Sequence, residues 1–276
     1  MTQKEIIETI IKCRKDPIYF IITFLKILHP IRGIIPLDLF EFQKNVIIKF
    51  VKNQFVIVLK SRQIGLSTIC AAYAVWLCSF FNSKTVLILA NKGEVATEMI
   101  SKCKTFIKYV PDWLRPKITV ENRQSLEFAN GSRIKASNTT EDAGRTFAGS
   151  LLIIDEAAMI KGLDDVWTAS RPILATGGSA IILSTPKGTG NFFHKKWVQA
   201  ESGQSEDGIA NFVPIKLPWW VHPERDEEWK RRELADLGQT RFAQEYDCVG
   251  YETDITIMDK TGKIENIKIG DLYGKL

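Results

Sequence analysis

Lys60, Ser61, Arg62, Gln63, Gly65, Ser67 and Thr68 crowd into one short stretch, Lys-Ser-Arg-Gln-Ile-Gly-Leu-Ser-Thr, between the apolar run 55–59 and a helix-like Ile-Cys-Ala-Ala-Tyr-Ala-Val-Trp-Leu. A strand, a glycine-containing loop and a helix in that order can cradle a phosphate with backbone N–H groups at the positive end of the helix. The hydroxyl of Ser67, with Thr68 beside it, suits Mg²⁺. The phosphate-loop pattern G-x-x-x-x-G-K-[ST] is nonetheless broken at its first glycine and at its lysine, where Leu66 stands. An ordinary strand–helix turn is the alternative.

A second stretch, Ser-Leu-Leu-Ile-Ile-Asp-Glu-Ala-Ala at 150–158, is an apolar strand that delivers Asp155 and Glu156 at its C-terminal end. In phosphoryl transfer the first carboxylate would order a metal shell and the second would polarise an attacking water. Open α/β sheets bind ligands at the carboxyl ends of their strands, where these two acids fall. A third apolar strand, 180–184, ends in Ser184, Thr185 and Pro186, which could sense a terminal phosphate or simply cap a turn. Gln43 matches the donor and acceptor edge of adenine. Arg62 and Arg145 are candidates for neutralising transition-state charge, or surface ion-pair partners. Lys187, Lys195 and Lys196 form a basic cluster that a solvated face explains as well as a polyanion does.

These residues need a scaffold, and the pattern supplies one. Strands are expected at 55–60, 85–90, 125–129, 132–136, 150–154 and 180–184, with helices at 41–52, 67–81, 92–109 and 163–171 between them. Two more helices, 4–14 and 19–28, precede them. Continuous apolar strands belong to a sheet covered on both faces, so the expectation is an α/β fold with a mostly parallel sheet and flanking helices. Composition agrees: 45% hydrophobic and 25% charged residues are near globular averages and suggest neither a disordered nor a membrane class, and a net charge of +5 permits contact with a polyanion without arguing for it. The N-terminus does not read as a signal peptide, and no apolar stretch is long enough to span a bilayer. Five scattered cysteines without ligand spacing point to reduced thiols.

Residues from about 14 to 247 resemble the ATPase domain of the large terminase subunit of tailed bacteriophages. The resemblance is carried by DPIYFI, HPIRGIIPLDLFEFQ, VLKSRQIGLST, NGSRIKASNTTEDAGR, LLIIDEAAMI, LSTPKGTGNFFHKKW and VHPERD. It implies a P-loop NTPase fold of the ASCE type, a helical lead-in over 1–37 and an ATPase domain over 38–247. It also implies ATP and Mg²⁺ as cofactors, double-stranded DNA, a portal or procapsid and a small terminase subunit as partners, a homo-oligomer on the portal, and the host cytoplasm. Terminases vary in their phosphate loop, and Lys60 matches the form whose lysine stands at the front. The roles implied are Gln43 for adenine; Lys60, Ser61, Arg62, Gln63, Gly65, Ser67 and Thr68 for phosphates and Mg²⁺; Asp155 for metal; Glu156 as catalytic base, with Arg62 assisting; and Ser184, Thr185 and Pro186 for coupling. A helicase-type ATPase without a packaging role and an inactive ATP-binding scaffold are the alternatives.

After residue 247 the composition shifts to short β-like pieces, and CVGYETDITIMDKTGKIENIKIGDLY resembles the first splicing block of inteins. That resemblance implies a split-intein N-fragment over 248–276, with Asp247 the last extein residue and Cys248 the splicing nucleophile. A separate polypeptide would bring the intein C-half and a nuclease domain, which this chain is expected to lack. An ordinary terminase cysteine followed by a non-splicing tail is the alternative.

Overall fold

The computed structural model describes residues 1–138, 149–175, 177–203, 212–248, 254–258, 262 and 264–268. Two helices open the chain, α1 (Gln3–Lys15) and α2 (Pro17–Phe24). Thr2 and Glu5 form a reciprocal capping box on the first, and Asp16 accepts the Tyr19 N–H at the start of the second. The expected helix 19–28 is cut short: β1 (Lys26–His29) and β2 (Gly33–Pro36) form an antiparallel hairpin there. A short apolar run does not separate helix from strand by periodicity. Here the turn after His29, with Gly33 at φ 68°, gives the run a partner strand.

From α3 (Glu41–Lys52) the chain alternates as expected, to within a few residues at most ends: β3 (Phe55–Lys60), α4 (Leu66–Phe80), β4 (Thr85–Ala90) and α5 (Gly93–Tyr109). A meander of β5 (Ile118–Glu121), β6 (Ser125–Phe128) and β7 (Arg133–Asn138) follows, then β8 (Leu151–Asp155), α6 (Leu163–Ala175), β9 (Ser179–Ser184) and α7 (Phe192–Ser202). Strand β5, helix α7 and a further strand, β10 (Val213–Leu217), are absent from the sequence expectation, and β10 carries a proline, Pro214. Strand β10 is an edge strand, pairing only with β3, and an edge tolerates proline.

The sheet runs β10-β3-β9-β8-β4-β7-β6-β5, parallel from β10 to β7 and antiparallel over the last two strands. Side chains alternate across it. Val56, Val58, Ile88, Ile153 and Leu183 join the core under α1 to α5, whereas Ile57, Leu59, Leu89, Ile154 and Ile182 join a second core with Trp167, Phe192 and Trp197. Both faces are therefore covered, as the continuous apolar strands require.

Past β10, a 3₁₀ turn at Trp219–Val221, α8 (Glu227–Leu237), α9 (Gln239–Phe242) and a π turn (Ala243–Asp247) form a small unit. Its core is Trp219, Phe242 and Tyr246, with Trp229, Leu234 and Leu237 against them. Among the described residues of the tail, β11 (Asp254–Met258) and β12 (Ile264–Lys268) make a separate antiparallel pair. No helix of the described residues is long and apolar enough to cross a membrane.

Candidate functional site

Because β3, β8, β9 and β10 run parallel, their C-terminal ends share one edge of the sheet. Lys60 pairs in register with Leu217, Leu59 with Ser184 and Leu183 with Asp155. Strand β9 thus lies between the strand that leads into the 61–65 loop and the strand that carries the acids. The topology alone brings Lys60, Asp155, Glu156 and Ser184 together from segments far apart in sequence.

The loop's geometry follows from its residues. Gly65 has φ 79°, and an added Cβ would sit 2.8 Å from Gln43 Nε2. Gln63 is also left-handed, at φ 56°. Alternation of this kind exposes successive N–H groups as an anion-binding concavity. Helix α4 begins at Leu66 with three more N–H groups that have no acceptor within the helix. Leu66 itself is buried, filling the core beneath the first turn. Gly65→Ala is expected to strain the backbone and push against Gln43. We expect a cost of about 1–3 kcal/mol, read as a lower urea midpoint.

Lys60 is 6% exposed at the end of β3. Its ammonium donates to Glu156 Oε1 at 2.8 Å and lies 4.0 Å from Asp155 Oδ1. Burial alone would lower its pKa, but the attraction of Asp155 and Glu156 outweighs it and the net shift is upward, so the ammonium stays charged. Asp155 is 1% exposed, and burial raises its carboxyl above the usual range against the pull of Lys60. Its Oδ2 accepts the Ser67 hydroxyl, and its Oδ1 accepts the Glu156 N–H at 2.9 Å. Glu156 sits at φ 53°, a strained conformation for a residue with a side chain. Ser184 Oγ accepts the Ala158 N–H at 3.1 Å, tying the end of β9 to the turn after the two acids.

A hydroxyl and a carboxylate oxygen already in contact form a hard-oxygen donor pair that suits Mg²⁺, which keeps most of its shell for water and substrate phosphates. Among the described residues no group of three or more His, Cys, Asp or Glu forms a larger metal cage.

Lys60, Ser67, Asp155, Glu156 and Ser184 therefore converge, with buried Ser61 and Thr185 beside them and Pro186 and Thr68 half-buried at the margin. The remaining candidates stand differently. Gln43 is buried; its amide oxygen accepts the Phe40 N–H at 3.1 Å and so caps the start of α3, while its Nε2 donates to Ile64 O at 3.0 Å and braces the loop. The Arg62 guanidinium is 60% exposed and faces Glu245 at 3.5 Å rather than the acids. Arg145 lies outside the described residues. Cys248 is fully buried against the second core, its thiol donating to Leu217 O at 3.3 Å, and burial pushes its pKa up to about 12. Asp247 precedes it at the end of the π turn.

Two contacts had no counterpart in the sequence expectation. The Arg62 N–H donates to Glu245 O at 2.8 Å, and Arg225 reaches Ser61 and the carbonyls of Arg62 and Gln63. The sequence signals there were the stretch VHPERD, one of those that carry the resemblance, and the charged run that follows it, which by itself reads as a helix start.

A parallel sheet with one strand between the loop strand and the acidic strand, and a glycine-containing loop at the head of a buried helix, defines the ASCE-type nucleotide-binding fold. Residues 57–259 match the family described as terminase large subunit, T4likevirus-type, N-terminal, and this chain belongs to that family. The match runs past the boundary expected at 247. The chain is similar to the "Probable terminase, large subunit gp28" of Escherichia phage Mu, at 23% identity over 229 residues. That alignment covers 72% of this chain but 41% of the relative, so the chain spans under half of the relative's length. Among solved structures, the HK97 bacteriophage large terminase superposes with a TM-score of 0.68 and 16% identity, covering 90% of this chain and 57% of that one. The large terminase ATPase domain of Thermus phage P74-26 superposes with a TM-score of 0.59 and 22% identity, covering 72% of this chain and 90% of that one.

Proposed function

We propose that this chain is the ATP-hydrolysing motor domain of a phage DNA-packaging terminase. The observation that carries the proposal is the convergence of Lys60, Ser67, Asp155 and Glu156 at the open end of the sheet, in a chain of the terminase family. In the proposed site the N–H groups of the loop and of the first turn of α4 receive the phosphates, and Lys60 supplies the charge that Leu66 lacks. Ser67 and Asp155 would hold Mg²⁺, which when bound screens the phosphate oxygens. Glu156 orients and deprotonates the attacking water once Lys60 turns from it to the nucleotide. Ser184, through Ala158, relays a change at the acids into β9 and the turn at Thr185 and Pro186. Gln43 serves the adenine end while bracing Ile64. Double-stranded DNA, a portal, a small terminase subunit and assembly as a homo-oligomer belong to the same proposal. The test is phosphate release from Mg-ATP by the full chain; none above background removes the proposal.

For the tail we propose, on the sequence resemblance of residues 248–273 alone, a split-intein N-fragment. Among the described residues of the tail a separate β pair follows Cys248, consistent with the short β pieces of that sequence. In intein chemistry the Cys248 sulfur attacks the Asp247 carbonyl, the Asp247–Cys248 C–N bond breaks, and a thioester and a free Cys248 amine result. A buried thiol with a pKa near 12 is a poor nucleophile. The shift therefore requires a complementary C-fragment that draws the junction out of the core. Mixing the chain with a candidate C-fragment is expected to give a ligated product by mass spectrometry, and none with Cys248→Ala. Equal yields from both chains would assign Cys248 a packing role alone.

A further inference from the structure

Three successive carbonyls of the loop are held by side chains that come from outside it. Gln43 Nε2 donates to Ile64 O at 3.0 Å. Arg225 Nη2 donates to Arg62 O at 2.8 Å and to Gln63 O at 3.2 Å, and its Nη1 donates to Ser61 Oγ at 2.8 Å. The guanidinium is itself gripped, 4.6 Å from the Trp229 ring centroid and 5.4 Å from that of Tyr246. Both rings belong to the small C-terminal helical unit.

A peptide unit is planar, so turning the carbonyl of one residue outward turns the N–H of the next residue the other way. Holding the carbonyls of residues 62, 63 and 64 therefore aims the N–H groups of Gln63, Ile64 and Gly65 to the opposite side. Among the described residues none of those three N–H groups has a protein acceptor. The conformation also carries strain, because Gln63 sits at φ 56°, and a strained loop persists only when its surroundings hold it.

We infer that Arg225 is a positioning residue for nucleotide binding: it locks the 61–64 loop into the shape whose N–H groups receive phosphate. This rests on the proposal that the loop binds a nucleotide. The role needs the planar fork of a guanidinium, which meets a hydroxyl and two carbonyls at once; a lysine ammonium keeps the charge and the aromatic contact but not that geometry.

The experiment is titration of the full chain with a fluorescent ATP analogue, together with steady-state phosphate release, for wild type, Arg225→Ala and Arg225→Lys. Both variants are expected to bind nucleotide about tenfold more weakly, with KM raised to match and kcat at saturating ATP within about twofold of wild type. Lysine is not expected to rescue the alanine defect. Wild-type affinity in Arg225→Lys would overturn the inference, even if Arg225→Ala failed to fold. Loss of kcat at unchanged KM would also overturn it, by making Arg225 a participant in the chemistry. A wild-type chain that binds no nucleotide would instead bring down the site proposal on which the inference stands.

Discussion

Glu156→Gln is expected to slow phosphate release by roughly 10²- to 10⁴-fold while nucleotide binding survives. The amide keeps the shape of the side chain but cannot take a proton from water. It also removes the charge that holds Lys60 at 2.8 Å, so the ammonium is free to meet phosphate without first breaking an ion pair. Affinity should accordingly stay level or rise. Parallel measurement of phosphate release and of binding of a fluorescent ATP analogue separates the two effects. Turnover within tenfold of wild type would remove Glu156 from the chemistry.

Lys60→Ala is expected to damage both folding and binding. Asp155 is almost completely buried, and Lys60 lies 4.0 Å from its Oδ1. Removing one member of a buried pair typically costs about 3–5 kcal/mol, because the other charge is left uncompensated. The urea midpoint should fall accordingly. A carboxyl already pushed upward by burial would move further toward its neutral form, and Ser67 would lose a charged acceptor. At urea concentrations low enough to keep the variant folded, nucleotide binding should drop by at least tenfold, since the stretch 60–68 contains no second lysine. Unchanged affinity in the folded variant would show that Lys60 serves the acids and not the phosphates.

The sheet was legible because its central strands are short continuous apolar runs with turn residues on either side. The strands that carry Lys60, Asp155 and Ser184 fall close to where the pattern places them, and parallel pairing then brings those side chains together. The hairpin at Lys26–Pro36 was not legible, because Lys-Ile-Leu-His continues an apolar run that helix and strand share. Strand β10 was not legible either: its burial alternates along an edge strand that contains Pro214, without the continuous apolar run that marks the central strands. The orientation of Arg62 toward Glu245 and the reach of Arg225 to the loop depend on how the helical unit docks, and no local spacing encodes that. Cys248 shows the same limit: its type suits an acyl shift, while its burial against the second core is a property of the assembled fold.

The backbone pairing of Arg62 N–H with Glu245 O at 2.8 Å places the last turn of the helical unit on the nucleotide loop itself. This contact is a route by which a displacement of the 243–247 turn would reach the loop. In the proposed site, a partner that shifted this turn and so changed the loop's affinity for nucleotide by some factor would have its own affinity changed by the same factor when nucleotide binds. If the loop binds nucleotide as proposed, whatever binds or is joined past residue 248 and shifts that turn acts as an effector of the site, and the reciprocity is a thermodynamic necessity.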